Sequence, residues 1–234
     1  MNPSAIVPTR DRDLRQREIV PPERLAECHA LVIGVGAIGR QVALQLAAVG
    51  VPTMTLFDDD TVQVENLAPQ GFWVEDLQEP KVKVTAALCR RINPEILVTS
   101  MAERFKRTTA RMLLAHGRLA VFLCVDSIQG RRLLWEVLRE HAAFVVDGRM
   151  NAEVVRVLAV ASPASDGYYA TTLFQPEQAY AGSCTAKATI YSASIAAGLM
   201  VGQFTRWLRR MPVDADLTLN LLAAELTVTS QHAS

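Results

Sequence analysis

The chain has 234 residues, half of them apolar, and its 24 basic side chains balance 24 acidic ones. That length supports one α/β domain with a full core, needing neither a disulfide nor a metal as a staple. The charge balance argues against a dominant nucleic-acid-binding face, and the four scattered cysteines, with no C-x-x-C pair, argue against a structural zinc site.

Residues 1 to 29 read as a polar, proline-punctuated arm. Charges stand there where a signal peptide needs an apolar segment, so free thiols in a reducing, cytoplasmic setting are the expectation. The arm is followed by LVIGVGAIG at 31 to 39. An apolar run, then Gly34, Gly36 and Gly39, then the periodic stretch RQVALQLAAV give the order strand, tight turn, helix start. Such a turn brings backbone N–H groups and a helix N-terminus to a phosphate, although packing in any α/β protein would also use it.

MTLF (54 to 57) reads as the second strand, EILVTSM (95 to 101) as the third, LAVFLCV (119 to 125) as the fourth and AAFVVDG (142 to 148) as the fifth. Helical patterns fall at 40 to 49, 81 to 92, 107 to 116 and 127 to 141. This alternation predicts a Rossmann-like, mainly parallel sheet with helices on both faces. After Gly148, EVVRVLAVA and YYATTLF read as appended antiparallel strands. EQAYAGSCTAK looks irregular, a helix is expected from about Thr189 to Arg209, and DLTLNL with ELTVTS forms a possible final hairpin. The stretch ATIYSASIAAGLMVGQF carries serines and glycines and reads as a buried helix, so no membrane span is expected. With no repeat or linker visible, the whole of 1 to 234 is expected to be one domain, with a crossover loop over 175 to 188.

Asp58 lies at the end of the second strand, where a carboxylate can accept hydrogen bonds from a ribose. Glycine turn plus ribose acid fits a dinucleotide or an adenine nucleotide equally. The elements that follow are FDDDTVQVENLAPQ, then EPKV, then RINPE, with R-x-x-R-Q upstream at Arg12, Arg15 and Gln16 and LCVDS downstream. In order and spacing they resemble the ThiF/MoeB/ubiquitin-activating-enzyme superfamily, whose pattern D-x-D-x-V, N-L-x-R-Q, K and I-N-P is met here by Asp58, Asp60, Val62, Asn66, Leu67, Gln70, Lys81 and Ile92-Asn93-Pro94. One position departs: Pro69 stands where the family carries an arginine, which removes a charge and an N–H donor.

The resemblance implies adenylation, with ATP and Mg2+, of the C-terminal glycine of a ubiquitin-like protein. By position, Gly34, Gly36, Gly39, Asp58, Asp60, Asn66 and Lys81 would contact the nucleotide, Lys81 also serving catalysis, and Asp126 would hold the metal. Arg15 resembles an arginine that family dimers insert into the partner's site, which implies a homodimer. Read alone, each has a plainer fate: Asn66 and Lys81 as solvated loop residues, Asp126 as a helix cap, Arg15 as a surface charge. Either Arg12, Arg40 or another cation replaces the arginine lost at Pro69, or the triphosphate is handled differently, or adenylation is impaired.

Cys184 occupies the place of the catalytic cysteine of several branches, with Lys187 near enough in sequence to favour a thiolate. The expectation is a thioester with the modifier at Cys184, and a conjugating enzyme is a possible partner. The alternative is adenylation for sulfur transfer in a thiamin, molybdopterin or related pathway. Cys28, Cys89 and Cys124 are expected to be structural. The lack of C-x-x-C pairs and of a large cysteine domain resembles a compact, stand-alone bacterial member. A nicotinamide-dependent oxidoreductase would give no role to Lys81 or Asp126, and a non-catalytic scaffold would be the reading of Pro69 as a lost function.

Overall fold

The computed structural model describes residues 12–109, 118–173 and 188–229. Its centre is an eight-stranded sheet in the order β3-β2-β1-β4-β5-β6-β7-β8. The strands are β1 (Cys28–Ile33), β2 (Thr53–Phe57), β3 (Leu97–Met101), β4 (Arg118–Leu123), β5 (Phe144–Asn151), β6 (Val154–Val160), β7 (Asp216–Asn220) and β8 (Glu225–Thr229). The first five pair in parallel, and β5 through β8 pair antiparallel. The helices are α1 (Pro22–Leu25), α2 (Ala37–Val49), α3 (Leu67–Gln70), α4 (Lys81–Ile92), α5 (Ile128–Leu138), α6 (Tyr168–Thr171) and α7 (Ile190–Leu208).

The parallel strands are apolar on both faces because helices cover both. Ala30, Val32, Met54, Leu56, Phe122, Phe144 and Val146 join α2, α4 and α7 in one core. Their alternate neighbours Leu31, Ile33, Phe57, Val121, Leu123 and Val145 join Leu134, Trp135 and Leu138 of α5 in the other. This period of two is what a strand buried on both sides requires. β1 begins at Cys28, earlier than the apolar run LVI, because His29 is buried against Thr55 at 2.8 Å and continues the ladder despite its polarity.

The chain runs outward from β1 to β2 and β3, then returns to the other side of β1 as β4. That reversal opens a crevice at the C-terminal ends of β1 and β4, the usual ligand position in such sheets. Among the described residues, no helix is long and apolar enough to cross a membrane.

Two expectations change. YYATTLF is not a strand: Tyr168–Thr171 form the short helix α6, whose Tyr169 N–H donates to Asp166 Oδ1 at 2.7 Å, while the Tyr169 ring packs 4.6 Å from that of Trp135. A local side-chain cap and a ring buried in the α5 core outweigh the alternating pattern. The helix expected at 107 to 116 and the loop expected at 175 to 188 fall mostly outside the described residues.

Candidate functional site

The crevice is a cleft of about 730 Å³, and its wall follows the C-terminal ends of successive strands. Gly34 and Gly36 after β1, Asp58, Asp59 and Asp60 after β2, Arg104 and Phe105 after β3, Asp126 and Ser127 after β4, and Gly148 and Arg149 on β5 all face it, as does Lys81.

The turn after β1 depends on its glycines for different reasons. Gly34 has φ +88°, a left-handed conformation that favours glycine. Gly36 precedes α2 and nothing lies within 4 Å of where its Cβ would be, so its backbone is open to the cleft. Gly39 does not line the cleft; a Cβ there would sit 1.8 Å from the Gly34 carbonyl oxygen, so its role is to let α2 pack against the turn. The turn is tied to β2 by the Val35 N–H, which donates to Asp58 Oδ2 at 2.6 Å. Burial raises the Asp58 carboxyl above its usual range, against the opposing effect of the amides of Val35 and Asp60.

Lys81 opens α4 with its side chain almost wholly buried, and its Nζ donates to Asp60 Oδ2 at 2.8 Å. The backbone fixes the same neighbourhood, since Lys81 N–H donates to the Asp60 carbonyl at 3.0 Å. Two residues given separate roles by motif position thus form one ion pair. Asp58, Asp59 and Asp60 bring carboxylate oxygens within 4.8 Å of one another.

Asp126 is exposed on the turn after β4, and the helix cap is its neighbour: Ser127 Oγ accepts the Gly130 N–H at 3.0 Å. The Asp126 side chain is therefore not consumed in capping α5. Its carbonyl accepts from Arg131 Nη1 at 3.1 Å, and Arg131 also donates to the Gly148 carbonyl at 3.2 Å, which ties the Asp126 turn to β5.

Other candidates lie away from the cleft. Asn66 Oδ1 accepts the Gln63 N–H at 2.9 Å and closes a helical turn over Val64–Asn66. Arg15 is exposed on the arm. Arg12 donates to the carbonyls of Ala47 and Ala48 at the end of α2, at 3.1 and 2.9 Å, and so anchors the arm. Arg40 is buried behind the turn, with its guanidinium 4.7 Å from the Phe72 ring centroid and a hydrogen bond to the Gln70 carbonyl. Neither Arg12 nor Arg40 reaches the cleft in place of the arginine missing at Pro69. Arg104 does line it, paired with Asp59 at 2.8 Å.

Motif reading missed a buried cluster on the β5 side. Asp147 is fully buried and accepts from Arg131 Nε at 2.8 Å, Arg149 Nε at 2.7 Å and the Tyr169 hydroxyl at 3.0 Å. The available signal was an aspartate breaking the apolar strand FVVDG, because a buried carboxylate demands partners. The thiols of Cys28 and Cys89 are pushed up by burial, to about 11 and about 12, and that of Cys124 is raised by burial and by the charge of Asp147. All three are poor nucleophiles, as expected of structural cysteines. Cys184 and Lys187 lie outside the described residues.

The ThiF family matches residues 12–231. Over 111 residues the chain is 33% identical to the sulfur carrier protein ThiS adenylyltransferase of Escherichia coli, a match covering 47% of this chain and 44% of that protein. Over 122 residues it is 34% identical to the molybdopterin-synthase adenylyltransferase of Salmonella typhimurium, covering 52% and 49% respectively. The chain thus spans about half the length of the curated relatives it matches. Among solved structures, PaaA superposes with a TM-score of 0.77 at 18% identity, covering 98% of this chain and 76% of that one, a likeness of fold.

Proposed function

The chain belongs to the ThiF family, and from that membership we propose that it adenylates the C-terminal glycine carboxylate of a ubiquitin-like carrier protein, using ATP and Mg2+. The observation that carries the reading is the meeting, in one cleft at the strand-order reversal, of an open glycine turn, a ribose-type carboxylate, a buried lysine and an exposed aspartate. The relatives at 33% and 34% identity are both adenylyltransferases.

In this reading the backbone N–H groups of Gly36 and Ala37, at the start of α2, hold phosphate oxygens, and Asp58 accepts from the ribose. Lys81 exchanges part of its contact with Asp60 for negative charge on the phosphates. Asp126 offers the hard oxygen donor that Mg2+ prefers, and the ion would supply charge neutralisation at the phosphates. A carboxylate oxygen of the carrier attacks the α-phosphorus, the bond to the β-phosphate oxygen breaks, and pyrophosphate leaves. The chain's part is to hold two anions in line and exclude water. A second copy would bring its own exposed Arg15 to this site as a homodimer.

For the step after adenylation, the names of the relatives favour delivery of sulfur to the activated carboxylate over a thioester at Cys184. Carrier-dependent ATP–pyrophosphate exchange tests the first step, and chelation of Mg2+ should abolish it. With a sulfur donor present, a carrier mass corresponding to a thiocarboxylate supports sulfur delivery. A reducible carrier conjugate that disappears in Cys184→Ala would instead support the thioester. Absence of exchange with every small Gly-terminated protein encoded beside this one would overturn adenylation.

A further inference from the structure

The cluster around Asp147 leaves positive charge on the cleft wall. Asp147 is wholly buried between Arg131 and Arg149, and Tyr169 adds a neutral donor to the same carboxylate. The pair packed beside it, Arg156 with Asp216, is joined by two hydrogen bonds at 2.9 and 2.6 Å, with the Tyr168 hydroxyl on Asp216. At Asp147 two guanidinium groups share one carboxylate, while Arg156 and Asp216 balance each other. Desolvated charge of one sign is costly unless a counter-ion arrives.

The free donors point the same way. Arg149 spends Nε on Asp147, Nη1 on the Thr172 carbonyl at 3.1 Å and Nη2 on Thr172 Oγ1 at 3.0 Å. A guanidinium has five N–H groups, so Arg149 retains donors while its position is fixed on three sides. Its side chain is only 14% exposed, and Arg149 is among the residues that line the cleft.

Strand order separates this charge from the nucleotide. If Asp58 after β2 takes the ribose and the turn after β1 takes phosphate, the phosphates run towards β4. Arg149, on β5, stands two strands beyond the glycine turn, on the order of 10 Å away at the usual strand spacing. The Asp126 turn lies between them. The second reactant is an anion, and at the β5 end of the cleft Arg149 offers donors to one.

We propose that Arg149, backed by Arg131 and held by Asp147, is the binding site for the C-terminal carboxylate of the acceptor. The site rests on the adenylation reading for the identity of its ligand, and on the buried charge for its existence. Asp147 acts as a positioning residue, fixing both guanidinium groups without touching the ligand.

The test is an NMR titration of the arginine Nε–Hε resonances in labelled full-length protein, with the Arg149 signal assigned by its loss in Arg149→Lys. The probes are N-acetyl-glycylglycine, its C-terminal amide, and α,β-methylene-ATP with Mg2+. The expected result is a saturable shift of Arg149 with the carboxylate in the millimolar range and none with the amide, while the nucleotide analogue shifts the Gly34 and Gly36 amides. Equal shifts with carboxylate and amide, no shift with either, or an Arg149 shift produced by the nucleotide alone would overturn the site. A carboxylate response at Arg149 without a nucleotide response at Gly34 and Gly36 would uphold the anion site and defeat the adenylation reading.

Discussion

Lys81 Nζ rests 2.8 Å from Asp60 Oδ2, a buried ammonium held by an exposed carboxylate. The geometry keeps the lysine extended into the cleft and gives it a charge partner before any phosphate binds. Lys81→Ala should lower carrier-dependent ATP–pyrophosphate exchange by roughly 10²–10³-fold, the usual loss when one preorganised donor to developing charge is removed. Asp60→Asn should cost much less, because it loosens the lysine without deleting it. Equal losses in the two variants would show that the pair, not the lysine, carries the effect.

Gly36 and Gly39 should separate folding from binding. Gly39→Ala drives a methyl group to 1.8 Å from the Gly34 carbonyl oxygen, which backbone movement alone can relieve. It should lose at least ~1–3 kcal/mol in a denaturant titration, the cost of overpacking a close contact. Gly36→Ala meets nothing within 4 Å, and its φ of −81° with ψ −149° avoids the left-handed region while lying at the edge of the extended one. It should lose less stability than Gly39→Ala and weaken nucleotide binding, read by calorimetry, because its methyl group occupies the phosphate side of the turn.

Asp216 gives a pH signature. Burial would raise its carboxyl, but the hydrogen bonds from Arg156 and Tyr168 outweigh that and hold it below the usual carboxylate range. With the folded-state value depressed, its stabilisation is present above the ordinary carboxylate pKa and is lost as pH falls through the folded one. Asp216→Asn should therefore cost ~1.5–3 kcal/mol near pH 7, the range for hydrogen bonds to a charged group. The deficit should shrink as the pH is lowered below 4. A deficit that stays constant with pH would assign the effect to packing.

Thiol chemistry should follow burial. Iodoacetamide at pH 7.5 should leave Cys28 and Cys89 unmodified in the native protein, since both are buried and held far from their thiolates. Mass spectrometry before and after denaturation provides the comparison.

Much of this architecture is readable from local pattern. The glycine turn, the parallel strands with α2, α4 and α7, and the terminal hairpin all follow from apolar runs and periodicity, which short-range physics controls. YYATTLF failed because alternation over a few residues cannot show that Asp166 will cap the segment or that Tyr169 will find Trp135. The site divides in the same manner. Asp58, Lys81 and Asp126 stand at element ends, where position implies exposure to the crevice. Arg131, Asp147 and Arg149 were missed because their pairing is tertiary: nothing near Asp147 in sequence says that a guanidinium from α5 will meet it. Gly39 and Asn66 belong to the motif pattern, yet one serves helix packing and the other a local turn.

The pairing of Cys28–Ile33 with Arg118–Leu123 also sets an order in time. Between those strands the chain makes two complete excursions, to β2 and then to β3. Loop-closure entropy makes such a pairing late, so an emerging chain would own the glycine turn and Asp58 well before it owned the Asp126 wall. Nucleotide recognition would mature only with that last closure. ATP would then act as a ligand of the finished sheet alone, shifting the folding equilibrium towards it by mass action.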